Sequence, residues 1–168
     1  MFLAAACSTA SSSPPETGLG LQQPTLVIQE ADGNRLQVPD FQTLQDSVPF
    51  AIVRPHDLPF GMAPNLVMVT FPPNSVDAQV RQRHVRVLMS FVSPDRGGGF
   101  QLTESMRWAG GYANTGVDIS LRGGTGNDAI VAEGQACEVN FSISTPTGGL
   151  LTEHHVLDIA NSIVEQCA

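Results

Sequence analysis

Near the end of the chain, Val156, Ile159, Ala160, Ile163, Val164 and Cys167 recur at i, i+3, i+4, i+7, i+8 and i+11. That spacing lines one face of an α-helix with apolar side chains, and such a face must be buried against a flat partner. Thr152, just ahead of it, is an N-cap candidate, and Glu153 suits the positive end of the helix dipole. The partner surface has to come from the rest of the chain, where the periodicity is that of strands.

Thr25–Glu30 reads as a strand, Ala31-Asp32-Gly33-Asn34 as a hairpin turn, and Arg35–Val38 as the returning strand. Asp40 is placed to cap a short helix in which Phe41, Leu44 and Val48 share a face. Phe50–Val53 is expected to form a strand closed by Pro55. Asn65–Phe71 and Val85–Val92 are expected to be neighbouring strands joined through Pro72-Pro73-Asn74-Ser75. Further strands are expected at Phe100–Glu104, Val117–Leu121, Ala129–Ala132 and Glu138–Ser144. Within Val85–Val92, Val85, Val87, Met89 and Phe91 face one way and Arg86, Leu88, Ser90 and Val92 the other. This partial alternation suits an antiparallel sheet covered on one side. The fold class is therefore α+β: one domain, an antiparallel sheet of about five to seven strands, and one short and one long C-terminal helix packed on one face.

The amino-terminal part has a different character. In Leu3-Ala4-Ala5-Ala6-Cys7 small residues precede a cysteine, as in the lipobox at which bacterial lipoproteins are cut and acylated. Met1-Phe2-Leu3 resembles the tail of a signal-peptide apolar core, so residues 1–6 are expected to be a signal remnant, with the true start farther upstream. The other reading is a chance cysteine in a disordered terminus. Ser8 to Gln23 is rich in Ser, Thr, Pro, Gly and Gln, with Glu16 its one charge. Such a segment cannot bury enough surface to offset its ordering entropy. Extended like polyproline it would reach about 50 Å, at ~3.1 Å per residue. Residues 7–24 are thus expected to be a lipidated cysteine with a flexible stalk, and residues 25–168 the folded domain. A diacylated cysteine carries two chains, the number that stable anchoring requires. No run of 18 apolar residues suggests a membrane-spanning helix.

The net charge is -8, and all eight cationic residues are arginines. The absence of lysine excludes a Schiff-base or P-loop lysine. The acidic balance argues against a nucleic-acid footprint and against electrostatic adhesion to anionic lipid. Of three cysteines, acylation of Cys7 would leave Cys137 and Cys167 as an even set in an oxidising compartment. These two are either bridged, stapling helix to sheet, or buried as free thiols; only their separation in space decides.

From Val48 to Met62 the chain runs Val-Pro-Phe-Ala-Ile-Val-Arg-Pro-His-Asp-Leu-Pro-Phe-Gly-Met. This resembles the VPFxxxxPxxLPxGY-type segment of a bacterial family of small extracytoplasmic domains of unknown function, with Met62 where the pattern has an aromatic. The family occurs in envelope lipoproteins and in proteins associated with anti-sigma factors and sporulation. It tends to have a short helix before the motif, as at Phe41 to Val48, and a terminal helix after Leu-Thr/Ser, as at Leu151-Thr152. The resemblance spans residues 40–168, with the fifteen-residue motif as its specific part. It implies an α+β fold and a binding or regulatory role, and it carries over no catalytic residue. Physically, Pro49 and Pro55 bracket an extended stretch, and Pro59-Phe60-Gly61 suits a tight turn. The result is a conformational corner in which His56, Asp57 and Phe60 are the residues placed to line a ligand.

Other motifs weigh less. Gly123 to Val131 matches the calcium-binding nonapeptide GGxGxDxUx. Each ion in that architecture sits between successive repeats, and one copy reads better as a glycine-rich hairpin loop. Asp128, with Asp118, is then a weak calcium candidate. His154-His155 diverge by about 100° on a helix and do not form a metal pair. His84 lies in the one basic cluster, Arg81 to Arg86, where local pairing with carboxylates is the default. Arg96-Gly97-Gly98-Gly99 reads as a turn rather than a phosphate cradle, since no helix follows it. No GxSxG, HExxH or Walker pattern occurs, and no cofactor is implied.

The leading expectation is a non-catalytic, lipid-anchored domain of the bacterial envelope, outside the cytoplasm. It would bind an envelope protein or an apolar ligand through its sheet or its proline-rich corner. The alternative is an envelope hydrolase using His56 or His84 with a nearby carboxylate. A third is a structural spacer with no binding surface.

Overall fold

A computed structural model describes residues 25–30, 33–72, 77–106, 117–122 and 128–167. The lipobox, Cys7, the stalk and most of the glycine-rich nonapeptide lie outside the described residues.

Among the described residues, eight strands form one fully antiparallel sheet: β1 (Thr25–Glu30), β2 (Gly33–Gln37), β3 (Ala63–Phe71), β4 (Arg86–Val92), β5 (Gly99–Met106), β6 (Asp118–Arg122), β7 (Ala129–Ala136) and β8 (Val139–Pro146). Their order across the sheet is β1-β2-β3-β4-β5-β8-β7-β6. The helices are α1 (Phe41–Ser47), α2 (Ala78–Arg83) and α3 (Glu153–Glu165). This is the expected α+β domain, with one strand more than the upper expectation and one additional helix.

Two cross-strand rows show how the core is built. Val67, Met89, Leu102, Ile143 and Ala132 lie opposite one another on five neighbouring strands, and all are completely buried. The next row reads Val69, Val87, Glu104, Phe141 and Gly134. An acidic residue therefore occupies the middle of an otherwise apolar row. Residues between these rows, such as Leu88, Thr103 and Ser142, are half-buried on the opposite face.

A layer of helix and irregular chain covers the apolar face. α3 crosses β7 and buries Val156, Ile159, Ala160 and Ile163 into the core. Each large side chain among them contributes roughly 1.5–3 kcal/mol of burial. α1 contributes Leu44, and the segment after it contributes Phe50 and Val53. The caps are those expected: Asp40 Oδ1 accepts from Thr43 N at 2.7 Å, and Thr152 occupies the N-cap of α3.

Two expectations need correction. Phe50–Val53 belongs to no sheet: Phe50 lies in the bend after α1, and residues 51–53 form no regular element. Its main-chain groups are met by side chains instead. The connection from β3 to β4 is not a simple proline turn, because it contains α2. Asp77 Oδ1 accepts from Gln79 N at 2.9 Å at the start of that helix, and Val80, its apolar residue, is left exposed.

Cys137 and Cys167 form a disulfide with a Cα–Cα separation of 5.2 Å, well within the range a bridge tolerates. Cys137 sits in the two-residue turn between β7 and β8 with φ 51°, and Cys167 follows α3. The bridge therefore fastens the far end of the covering helix to the tip of the hairpin beneath it. No helix among the described residues is long and apolar enough to cross a membrane.

Candidate functional site

The corner that follows α1 is held by amide and carboxyl side chains rather than by a neighbouring strand. Gln45 of α1 donates through Nε2 to Phe50 O at 2.9 Å, and its Oε1 accepts from Ile52 N at 3.0 Å. One step on, Glu104 Oε2 accepts from Val53 N at 3.4 Å. Beyond that, Gln166 Oε1 accepts from Arg54 N at 3.1 Å, while its Nε2 donates to Arg54 O. Three side chains from α1, β5 and the end of α3 thus take the place of a strand ladder. Buried Pro55 follows, and its ring carries no donor that would need a partner.

After Pro55 the chain turns sharply. Asp57 and Phe60 both have positive φ, 53° and 57°, a region that side chains other than glycine seldom occupy. Gly61, also at positive φ, completes a short 3₁₀ turn from Pro59. The turn is braced by Ser93, which is buried and donates from Oγ to Phe60 O at 3.0 Å. The Phe60 ring meets the His155 ring edge-on at 5.2 Å and carries the Arg96 guanidinium 4.9 Å from its centre.

Between this turn and one side of α3 lies a groove of about 350 Å³. His56, Asp57 and Pro59 form one wall, and His155, Asp158 and Glu165 stand on the other. Two of the three residues expected to line a ligand, His56 and Asp57, are therefore in this groove. Phe60 stands behind it and supports His155. His155 also closes the capping box of α3, its Nδ1 accepting from Thr152 N at 3.2 Å. His154 points elsewhere, with Nε2 3.6 Å from Asp158 Oδ2; the adjacent histidines diverge as the helix geometry requires.

The groove is suited to binding by hydrogen bonds and charge. His56 Nε2 lies 3.9 Å from Asp57 Oδ2, with side chains 52% and 96% exposed, which is beyond hydrogen-bond reach for a base and its orienting carboxylate. The hydroxyl lining the groove, Ser162, donates to Ile159 O at 2.8 Å. His84, the other histidine considered for hydrolysis, is exposed at the end of α2 and does not line this groove. Among the described residues, no three His, Cys, Asp or Glu side chains are grouped so as to hold a metal ion. Of the calcium candidates, Asp128 is exposed and its carbonyl accepts from Thr147 N at 2.9 Å; the Asp118 side chain lies outside the described atoms.

A second, more apolar groove of about 440 Å³ lies where β4, β5 and β8 end, with Ser90, Val92, Gln101, Ser144 and Leu150 among its walls. Gly99 makes the strand pairing there possible. A Cβ at that position would lie 1.8 Å from Phe91 O.

Glu104 has the most unusual electrostatics. It is completely buried, and burial pushes its carboxyl up to about 8, against the smaller opposing effects of the Val53 N–H and the Arg54 charge. Its Oε1 has no hydrogen-bond partner among the described residues. Strict alternation through Phe100 and Leu102 puts the next inward position of β5 at Glu104, which is the signal in the sequence that marks it. No family model matches the chain, and neither the curated proteins nor the solved structures contain a match to it.

Proposed function

We propose that this protein is a lipid-anchored, extracytoplasmic binding domain of a bacterial envelope, acylated at Cys7 and carried on the stalk of residues 8–24. The observation that carries this reading is the Cys137–Cys167 disulfide. A structural bridge belongs to an oxidising compartment, and it leaves Cys7 as the one cysteine of three outside the pair. In an exported chain, a cysteine preceded by Leu-Ala-Ala-Ala and followed by a polar stalk is what lipoprotein processing acts on.

On this reading the groove beside the proline-rich corner is the binding surface, and an envelope protein is its partner. A strained backbone at Asp57 and Phe60 supports the choice, since such strain persists only where surrounding structure over-determines it and clusters at functional sites. The likeness of Val48–Met62 to the family of small extracytoplasmic domains points the same way, to binding rather than catalysis.

The test is fractionation of cells expressing the wild type and Cys7→Ser. The wild type is expected in the detergent-extracted membrane fraction, and the variant is expected to be released from it. Equal distribution of the two would overturn the anchor. For the groove, cross-linking in the native envelope from a photoreactive residue at position 161 should give a discrete adduct that His56→Ala weakens; a pattern unchanged by that substitution would count against this surface.

A further inference from the structure

We propose that Glu104 is a protonation-controlled latch on the Phe50–Arg54 segment, and through it on the His56–Asp57 wall of the groove. As regulation of that groove it rests on the binding reading above, whereas the latch itself is a property of the fold.

The geometry begins with the row in which Glu104 stands. Val87 on β4 and Phe141 on β8 flank it directly, and Leu102 and Met106 lie two residues away on its own strand. From the covering layer, the inward residues are Leu44 of α1 and Val156, Ile159, Ala160 and Ile163 of α3, all apolar. Among the described residues the charge that reaches Glu104 is that of Arg54, whose guanidinium is exposed and rests 4.1 Å from the centre of the Phe41 ring. An ionised carboxylate in this layer would have one long hydrogen bond, from Val53 N, and one unpartnered oxygen.

A neutral carboxyl fits the site. It keeps an oxygen for Val53 N–H, and although its other oxygen finds no partner among the described residues, burying it costs far less than burying the charged form. An ionised one must gain water or a closer cation, because a buried charge without adequate partners is strongly unfavourable. The sheet cannot open to supply either, since β4, β5 and β8 are paired on both sides along their length. The Phe50–Arg54 segment can, because its main chain is held by side chains rather than by a strand ladder, Gln45 at one end and Gln166 at the other. What lifting it costs is part of the burial of Phe50 and Val53. Moving it outward exposes Glu104 to solvent. Pro55, His56 and Asp57 follow directly along the chain, so the same movement displaces one wall of the groove. Burial keeps the Glu104 carboxyl protonated up to about 8, so the opening belongs to the mildly alkaline side, within reach of the pH changes an extracytoplasmic domain meets.

The experiment is an NMR titration of the 15N-labelled full chain, disulfide intact, from about pH 6 to 9.5. The amide signals of Val53, Arg54, His56 and Asp57 are expected to move together with one midpoint near pH 8, while those of Ile130 and Ala132 in β7 stay still. Glu104→Gln, which remains neutral, should abolish that shared transition. Gln166→Ala weakens the closed state and should lower the midpoint by about half a pH unit, a roughly threefold easier opening. The proposal is overturned if no transition occurs below pH 9.5, if it persists in Glu104→Gln, or if it is confined to Val53 and indifferent to Gln166→Ala. Should Glu104→Gln fail to fold, the wild-type titration and the Gln166→Ala shift decide the matter. No ligand or anchor enters this measurement, so its failure is distinguishable from failure of the binding reading.

Discussion

Gln166 grips Arg54 by both of its main-chain groups, accepting from the amide at 3.1 Å and donating to the carbonyl. The two residues are 112 positions apart, and the contact joins the last turn of α3 to the corner. The next residue, Cys167, is bonded to Cys137, so the clamp and the bridge act on the same turn of chain.

Replacing Gln166 by alanine removes three hydrogen bonds at an exposed site, two to Arg54 and one to Ser162 O. A loss of about 1 kcal/mol is expected in a urea titration, with faster amide exchange at Arg54 than at Leu102. Unchanged exchange at Arg54 would show that the clamp does not hold the corner.

Opening the disulfide should cost more. It closes a loop of 30 residues, for which the chain-entropy account gives about 3–4 kcal/mol. The double substitution Cys137→Ser with Cys167→Ser should lose stability by that order in urea, and reduction of the wild type should bring it to the same value.

Glu104 gives stability a definite pH dependence. In the folded chain its carboxyl keeps its proton up to about pH 8, whereas the ordinary value is 4.5. Between these two values the unfolded chain binds fewer protons than the folded one. The contribution of this group is thus fully present below pH 4.5 and is lost as pH rises through 8. The slope is about 1.4 kcal/mol per pH unit across that window. Glu104→Met should remove this component, so the variant gains on the wild type as pH rises from 5 to 8. Parallel curves for the two proteins would show that Glu104 ionises normally.

Two neighbouring glycines should respond very differently to alanine. At Gly97, with φ 64° and open space around its Cβ position, a cost of about 1 kcal/mol is expected from backbone strain alone. At Gly99, where the added carbon would overlap Phe91 O, β4 and β5 must separate, and a loss of about 3 kcal/mol is expected in thermal or urea unfolding.

Much of this architecture is legible in the residues themselves. The α3 stripe and its Thr152 cap follow from 3.6-residue periodicity, and β4 follows from alternation, because both bury one face. α2 carries no such signal: its apolar residue, Val80, is exposed, so nothing in the pattern marks a helix there. Phe50–Val53 looks like a strand because it is apolar and closed by Pro55. Its partners, however, are Gln45 and Glu104, with Gln166 on the following Arg54, and these come from three separate parts of the chain. His155 closes a capping box at a position where glutamate or glutamine is usual, so its role emerges only in three dimensions. The His56–Asp57 wall was visible as a proline-bounded corner; the opposite wall, on α3, was not.

Lipid attachment is the claim on which the proposed role depends most, and intact-mass and peptide mass spectrometry of protein purified from native membranes tests it directly. The account predicts a mature chain beginning at Cys7, its sulfur carrying diacylglycerol, with Cys137 and Cys167 oxidised to one another. An unmodified Cys7 still joined to Ala6, in protein recovered from the cytosol with both other thiols reduced, would contradict it.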